Sequence, residues 1–221
     1  MKAFISTVPF GTTSRRPIEL LEEAEISYQI NPLGRKIKTE EVLEYVSDCE
    51  YYIAGTEKIT PEILDAAPKL RLISRVGVGL DSIPFAEVAK RGIKVAYTPM
   101  APREAVAELS VGLILDCCRR FSQVNEQLHA GGWNKYMGSL LQGKTVGILG
   151  MGRIGKRLAE LLMPFGVTIL AHDLVEDEAF AREWGITYVS LDELLKQSDV
   201  ISLNLSSSDH TRHLLNAEKL A

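Results

Sequence analysis

The amino-acid sequence predicts an α/β protein: two doubly wound parallel-sheet units carried on one chain. Three observations predict it. Short apolar runs alternate with amphipathic segments from the first residues onward, paired prolines interrupt the alternation once, and a glycine-rich turn in the second half joins a strand directly to a helix. A length of 221 residues with 46% hydrophobic content is enough to fill a core in each unit.

In the first half, residues 3–6, 26–30, 51–54, 70–74 and 93–96 are apolar runs of strand length. Between them, residues 17–25 and 39–46 carry helix start signals. Thr60-Pro61-Glu62 supplies an N-cap, a proline at the first helical position and an acidic first turn. Strands that alternate with helices pair in parallel, because each helix carries the chain back to the end of the sheet where the next strand starts. At Tyr97-Thr98-Pro99-Met100-Ala101-Pro102, two prolines three apart forbid both a continuing strand and a helix interior. The expected domains are therefore 1–98 and 99–221.

Residues 104–121 are apolar almost all round, with Ala105, Val106, Leu109, Val111, Leu113, Ile114 and Leu115, the pattern of a helix buried between layers. Glu108 on this helix reads as a structural hydrogen-bonding acid, Asp116 as a partner of Arg119 and Arg120 within one turn, and Trp133 as a packing residue. Gly131-Gly132 closes the region. Residues 145–149 then form a buried strand, and Ile154, Leu158, Leu161 and Leu162 line one face of the helix after it. Strands at 167–171, 187–189 and 200–205, with helices at 176–184 and 191–197, continue the alternation.

Composition excludes several classes of function. A net charge of -4 without a block of Lys and Arg offers no attractive field to a polyanion, so no nucleic-acid partner is expected. The start of the chain runs straight into a strand pattern without a signal-peptide core, and the apolar stretches are too short to span a bilayer. No membrane partner is expected, and the expected location is the cytoplasm. Cys49, Cys117 and Cys118 have no metal-ligand spacing with His; they read as buried reduced thiols, and no metal is expected.

Chemistry concentrates at two turns. Gly150-Met151-Gly152-Arg153-Ile154-Gly155 follows a strand and opens a helix. Gly150 permits the tight turn, Gly152 lets the backbone approach a pyrophosphate, and Gly155 lets the helix pack close on the sheet. The unpaired N–H groups and positive dipole end of that helix face the phosphates. Asp173, roughly 20 residues after Gly150 at the end of the second strand, stands where an acid hydrogen-bonds the adenosine ribose hydroxyls; it would repel a 2'-phosphate, which favours NAD over NADP. The other turn is Arg75-Val76-Gly77-Val78-Gly79-Leu80-Asp81. Its alternating glycines allow backbone N–H groups to converge on an anion, with Arg75 as a fixed positive charge beside them. Taken alone, the same glycines serve equally well as a loop that needs positive φ.

Several stretches together resemble one family, the NAD-dependent D-2-hydroxyacid dehydrogenases, including their phosphoglycerate dehydrogenase branch. They are Ser74-Arg75-Val76-Gly77-Val78-Gly79-Leu80-Asp81, Thr98-Pro99, Ala107-Glu108-Leu109, Gly131-Gly132-Trp133, and Gly143-Lys144-Thr145-Val146-Gly147-Ile148-Leu149 running into the 150–155 turn. The resemblance implies a flavodoxin-like substrate domain over 1–98 and an incomplete Rossmann NAD-binding domain over 99–221. It implies that Gly77, Val78 and Gly79, with Arg75, hold the substrate carboxylate in a cleft between the domains. Arg153 and Ile154 would touch the pyrophosphate, and Asp173 the ribose. Where the family usually reads His-x-Pro-Leu-Thr at the rim of the adenine pocket, this chain reads Asn204-Leu205-Ser206-Ser207-Ser208, and Thr211 opens the family's next run. Asn204, Leu205, Ser206 and Thr211 are thus expected around the cofactor, on a more polar rim.

The implied activity is hydride transfer between NAD and a small D-2-hydroxy acid or its 2-keto acid, with 3-phosphoglycerate among the candidates, by a homodimer joined through the NAD-binding domain. The catalytic Arg, Glu and His that the resemblance implies belong at positions beyond Ala221. The sequence is expected to be a fragment that is inactive by itself and to contain no catalytic residue. His129, His172, His210 and His213 read as surface or capping residues. The rival expectation is a catalytically inactive NAD-binding or sensing module of corepressor type.

Overall fold

A computed structural model of the chain describes residues 1–208 and 211–220. The chain forms two compact units, Met1–Ala101 and Pro102–Ala221. The division falls inside the proline stretch, where Pro102 takes the first position of a helix and its missing N–H costs no helical hydrogen bond.

The first unit runs β1 (Lys2–Ile5), α1 (Arg16–Glu23), β2 (Ser27–Ile30), a 3-10 turn (Glu40–Glu44), β3 (Tyr51–Ala54), α2 (Pro61–Ala66), β4 (Leu72–Arg75), α3 (Phe85–Lys90) and β5 (Lys94–Tyr97). All strand pairs are parallel, in the order β2-β1-β3-β4-β5, which is the flavodoxin-like order. Phe4, Tyr52 and Ile73 project from adjacent strands into one core that Ile37, Val42, Ile63 and Val88 close. The helix expected at 39–46 is only the five-residue 3-10 turn. Thr39 makes no side-chain cap there, and so short a segment gains little from an α ladder. Helix α3 escapes a periodicity reading because only Val88 on it is buried.

The second unit runs α4 (Pro102–Arg119), α5 (Phe121–His129), β6 (Thr145–Leu149), α6 (Arg153–Leu162), a 3-10 turn (Met163–Phe165), β7 (Thr168–His172), α7 (Glu178–Trp184), β8 (Thr187–Tyr188), α8 (Leu191–Gln197), β9 (Val200–Leu203) and α9 (Ala217–Leu220). Its parallel sheet has the order β8-β7-β6-β9, the first four positions of a Rossmann sheet. Leu158, Ala159 and Leu162 of α6 pack in one cluster with Ala107, Ile114 and Cys118 of α4, and with Val146 and Ile148 of β6. At the edge of that seam Glu104 accepts from Arg157 Nε at 2.5 Å, and Arg157 also reaches Glu160 at 2.7 Å.

Five expectations for this region are corrected. Helix α4 is not buried all round: it rests on α6 along one stripe and leaves Val106, Leu109 and Leu113 exposed. Glu108, on the outward face, is exposed and accepts no hydrogen bond among the described residues. Asp116 pairs with neither arginine. Arg120 turns into the left-handed region at φ 58, and the Asp116 carboxylate accepts from the Ser122 amide at 2.8 Å and from its hydroxyl, so it caps α5. Trp133 is 89% exposed and packs nothing. Of the cysteines, Cys49 and Cys118 are buried as expected, whereas Cys117 is exposed because it lies off the α6 stripe. Among the described residues, no helix is long and apolar enough to cross a membrane.

Leu158→Ala removes a fully buried side chain from the α4–α6–β6 seam. It should cost about 2–5 kcal/mol, read as a lower urea midpoint in the transition reported by Trp184. An unchanged midpoint would show that this seam does not support the unit.

Candidate functional site

The turn after β6 is built by backbone contacts that exclude side chains. Gly150 sits at φ 96, and a Cβ on it would come within 2.7 Å of the Asn204 carbonyl oxygen. A Cβ on Gly155 would overlap the Gly150 carbonyl. The turn is further tied to both neighbouring strands: Gly150 N–H donates to His172 O at 2.9 Å and Asn204 N–H donates to Leu149 O at 2.7 Å. By contrast, a Cβ on Gly152 would meet nothing within 4 Å, and no side chain caps α6 at its Gly152 start. The bare backbone and uncapped N–H groups face open space, which fits a phosphate group.

Asp173 closes the same turn. Its Oδ2 accepts from Met151 N–H and its Oδ1 from Leu174 N–H, both at 2.6 Å. The fold therefore gathers Gly150, Gly152, Gly155, Asp173, Asn204 and Leu205 at the carboxyl ends of β6, β7 and β9. Arg153 stands exposed at the first position of α6, with Ile154 half-buried after it. The serine-rich rim is held by Thr211, whose hydroxyl donates to Ser206 O at 2.7 Å and accepts from Ser208 N–H at 2.9 Å. His172 Nδ1 contacts Val189 O at 3.0 Å and His129 Nδ1 contacts Asn125 O at 2.9 Å, so both are engaged in local structure; His210 lies outside the described residues. Among the described residues no three His, Cys, Asp or Glu side chains gather as a metal site.

In the first unit, the turn after β4 differs from a simple row of free amides. Gly77, at φ 140, donates its N–H to the Thr98 hydroxyl at 2.8 Å, and Val76 N–H goes to Ala54 O at 2.9 Å. Among the described residues, the amides of Val78 and Gly79 are left without an acceptor, as are those of Leu80 and Asp81 after them. Arg75 is not an exposed charge: it is 8% exposed, its Nη1 donates to Val76 O, and its Nε–H is sealed from solvent with no partner. Gly77 is close enough that a Cβ there would come within 2.9 Å of Arg75 Nη1, so the turn folds directly over the guanidinium. No carboxylate among the described residues pairs with it. A buried cation of this kind favours an anion nearby.

One site residue gave no sequence signal. Glu57, between Thr56 and Lys58 on a loop, reads as a solvated charge, yet it is 4% exposed. Its Oε1 accepts from Ser6 Oγ at 2.5 Å, Tyr52 Oη at 2.6 Å and Gly55 N–H at 3.0 Å, joining the ends of β1 and β3. Burial, with this carboxylate beside it, pushes the Tyr52 phenol well above its ordinary pKa of 10.

Strand order, glycine turn and helix start define the second unit as a dinucleotide-binding α/β fold. A sequence model described as the NAD-binding domain of the D-isomer specific 2-hydroxyacid dehydrogenases matches residues 111–221, and the chain belongs to that family. It is 36% identical to a hydroxypyruvate reductase of Thermotoga maritima over 90% of this chain and 63% of that protein. It is 35% identical to a D-3-phosphoglycerate dehydrogenase of Methanocaldococcus jannaschii over 100% of this chain and 42% of that protein. The crystal structure of D-lactate dehydrogenase from Aquifex aeolicus, complexed with NAD and lactic acid, superposes with a TM-score of 0.82 at 30% identity, covering 99% of this chain and 65% of that one. The chain thus spans less than two thirds of the length of each of these relatives, and NAD is the cofactor of the domain it carries.

Gly155→Ala forces backbone to move at the turn, so the second unit should lose about 1–3 kcal/mol in thermal or urea unfolding. Gly152→Ala, which meets no atom, should stay within about 0.5 kcal/mol of the parent.

Proposed function

We propose that this chain supplies the NAD site and the substrate-carboxylate turn of a dehydrogenase that transfers hydride between NAD and a small D-2-hydroxy acid or its 2-keto acid. The observation that carries the reading is the convergence of the bare Gly152 backbone, the uncapped start of α6 and the Asp173 carboxylate at one point. In this reading the N–H groups at the start of α6, with Arg153 and Ile154, take the pyrophosphate. Asp173 accepts from the adenosine ribose, and Asn204, Leu205, Ser206 and Thr211 border the adenine. When bound, NAD supplies the hydride acceptor or donor. The protein's own part is to hold the substrate carboxylate on the free amides of Val78 and Gly79 beside the Arg75 charge, orienting the carbon that reacts.

Domains 1–98 and 99–221 serve substrate and cofactor respectively in this proposal. Proton exchange with the substrate oxygen, which contributes roughly 10²–10⁴-fold in rate, is assigned to no residue of these 221. The hydroxypyruvate reductase relative supports a short 2-keto acid; the phosphoglycerate dehydrogenase relative brings in 3-phosphoglycerate as a second candidate. The exposed Leu109, Leu113, Trp133, Met137 and Leu140 of the second unit support a homodimer through that unit, and a cytoplasmic enzyme completes the proposal.

Energy transfer from Trp133 and Trp184 to NADH tests the cofactor site. NADH should bind the parent chain, Gly152→Ala should weaken binding at least tenfold without loss of stability, and NADPH should bind more weakly than NADH. Absence of binding at millimolar NADH would refute the site. Turnover of 2-keto acids by these 221 residues would refute the reading that none of them exchanges the proton; cofactor binding without turnover would favour a sensing module.

A further inference from the structure

Resting on the reading of the 77–79 turn as the seat of the substrate carboxylate, we propose that Glu57 determines which substrate is accepted. Its pocket-facing oxygen takes a hydrogen-bond donor, such as a hydroxyl, on the far end of a small 2-keto or 2-hydroxy acid, and turns away a phosphate. A cavity of 220 Å³ lies in the first unit, lined by Ser6, Val8, Lys36, Gly55, Glu57 and Val76, among others. It opens beyond the carboxyl ends of β1 and β3, where the strand order reverses and ligands of doubly wound sheets bind. Val76 both lines this cavity and leads into the 77–79 turn, so a ligand held by the Val78 and Gly79 amides has its remaining atoms beside it.

The chemistry follows from how Glu57 spends its two oxygens. Oε1 is saturated by Ser6, Tyr52 and Gly55, and these bonds hold the carboxylate in one orientation. Oε2 accepts nothing among the described residues. It lies over Gly55, where a Cβ would come within 2.8 Å of it, so the absence of a side chain at position 55 leaves that oxygen approachable. Glu57 is only 4% exposed, yet its donor-less Oε2 is not sealed from solvent, so it can be reached; a ligand O–H would satisfy it, whereas a methyl group would cover it without a donor. A phosphate would meet a fixed negative charge at short range. Lys36 at the rim is exposed and makes no ion pair among the described residues; in water its attraction for a phosphate is weak beside the repulsion from the buried carboxylate.

Glu57→Gln tests this cleanly, because the amide keeps an oxygen for Ser6, Tyr52 and Gly55 and turns the pocket-facing acceptor into an N–H₂ donor. Binding of pyruvate, hydroxypyruvate and phosphohydroxypyruvate to the 221-residue chain would be followed by amide shifts of Val78 and Gly79 in ¹⁵N-labelled protein. The parent should bind hydroxypyruvate about tenfold more tightly than pyruvate and the phosphorylated acid most weakly. Glu57→Gln should improve binding of the phosphorylated acid, whose oxygens now meet a neutral N–H₂ donor, and leave pyruvate unchanged, which also reports that the variant is folded; hydroxypyruvate, whose hydroxyl can accept from that N–H₂, should keep part of its advantage. Pyruvate binding at these amides with no hydroxyl preference in the parent, or binding of the phosphorylated acid that Glu57→Gln leaves unchanged, overturns the role of Glu57 alone. Failure of pyruvate to shift the Val78 and Gly79 amides in the parent overturns the carboxylate turn and this inference together.

Discussion

Everything in the second unit that bears on a nucleotide depends on one close approach of backbone to backbone, where α6 leaves the end of β6. Gly155 packs so near the Gly150 carbonyl that no side chain fits between them, and a Cβ on Gly150 would in turn crowd the backbone just past β9 at Asn204. Because the chain turns within a few residues, the first N–H groups of α6 end up beside the ends of β7 and β9. Asp173 reaches Met151 only on that account. A looser turn would leave the same residues in the sequence and scatter them in space.

The first unit is organised by a different device. Three donors, Tyr52 on β3 and Ser6 and Gly55 in the loops that follow β1 and β3, converge on one carboxylate oxygen of Glu57, and that cluster fixes the ends of β1 and β3 where the strand order reverses. Across the same sheet end, Arg75 lies under the 77–79 turn with its Nε–H unsatisfied. Two buried charges of opposite sign, neither ion-paired with a described residue, sit in one small unit. Structures accept such a cost where a ligand later compensates for it.

Much of this was legible in the sequence. The strands at 51–54 and 145–149 are observed as expected, and the others differ by one to two residues at their ends, because apolar runs of that length bounded by turn residues have few other places in a parallel sheet. The 150–155 turn with Asp173 was legible because its spacing reflects local backbone geometry. What failed to read through were residues whose setting depends on a neighbour distant in sequence. Helix α4 has apolar residues on all sides, and only its packing on α6 decides which of them are covered. Asp116 had two arginines within one turn, yet the left-handed break at Arg120 brought Ser122 to it instead.

By itself, then, the sequence determined the two doubly wound units, the proline division between them and a phosphate-ready turn, since each rests on local periodicity, local sterics or the absence of a side chain. Only the tertiary structure decided that Gly77 gives its amide to Thr98, that Arg75 is covered and that Glu57 is buried facing a cavity. Those outcomes turn on desolvation and on donors supplied by strands far apart along the chain, which no run of neighbouring residues encodes.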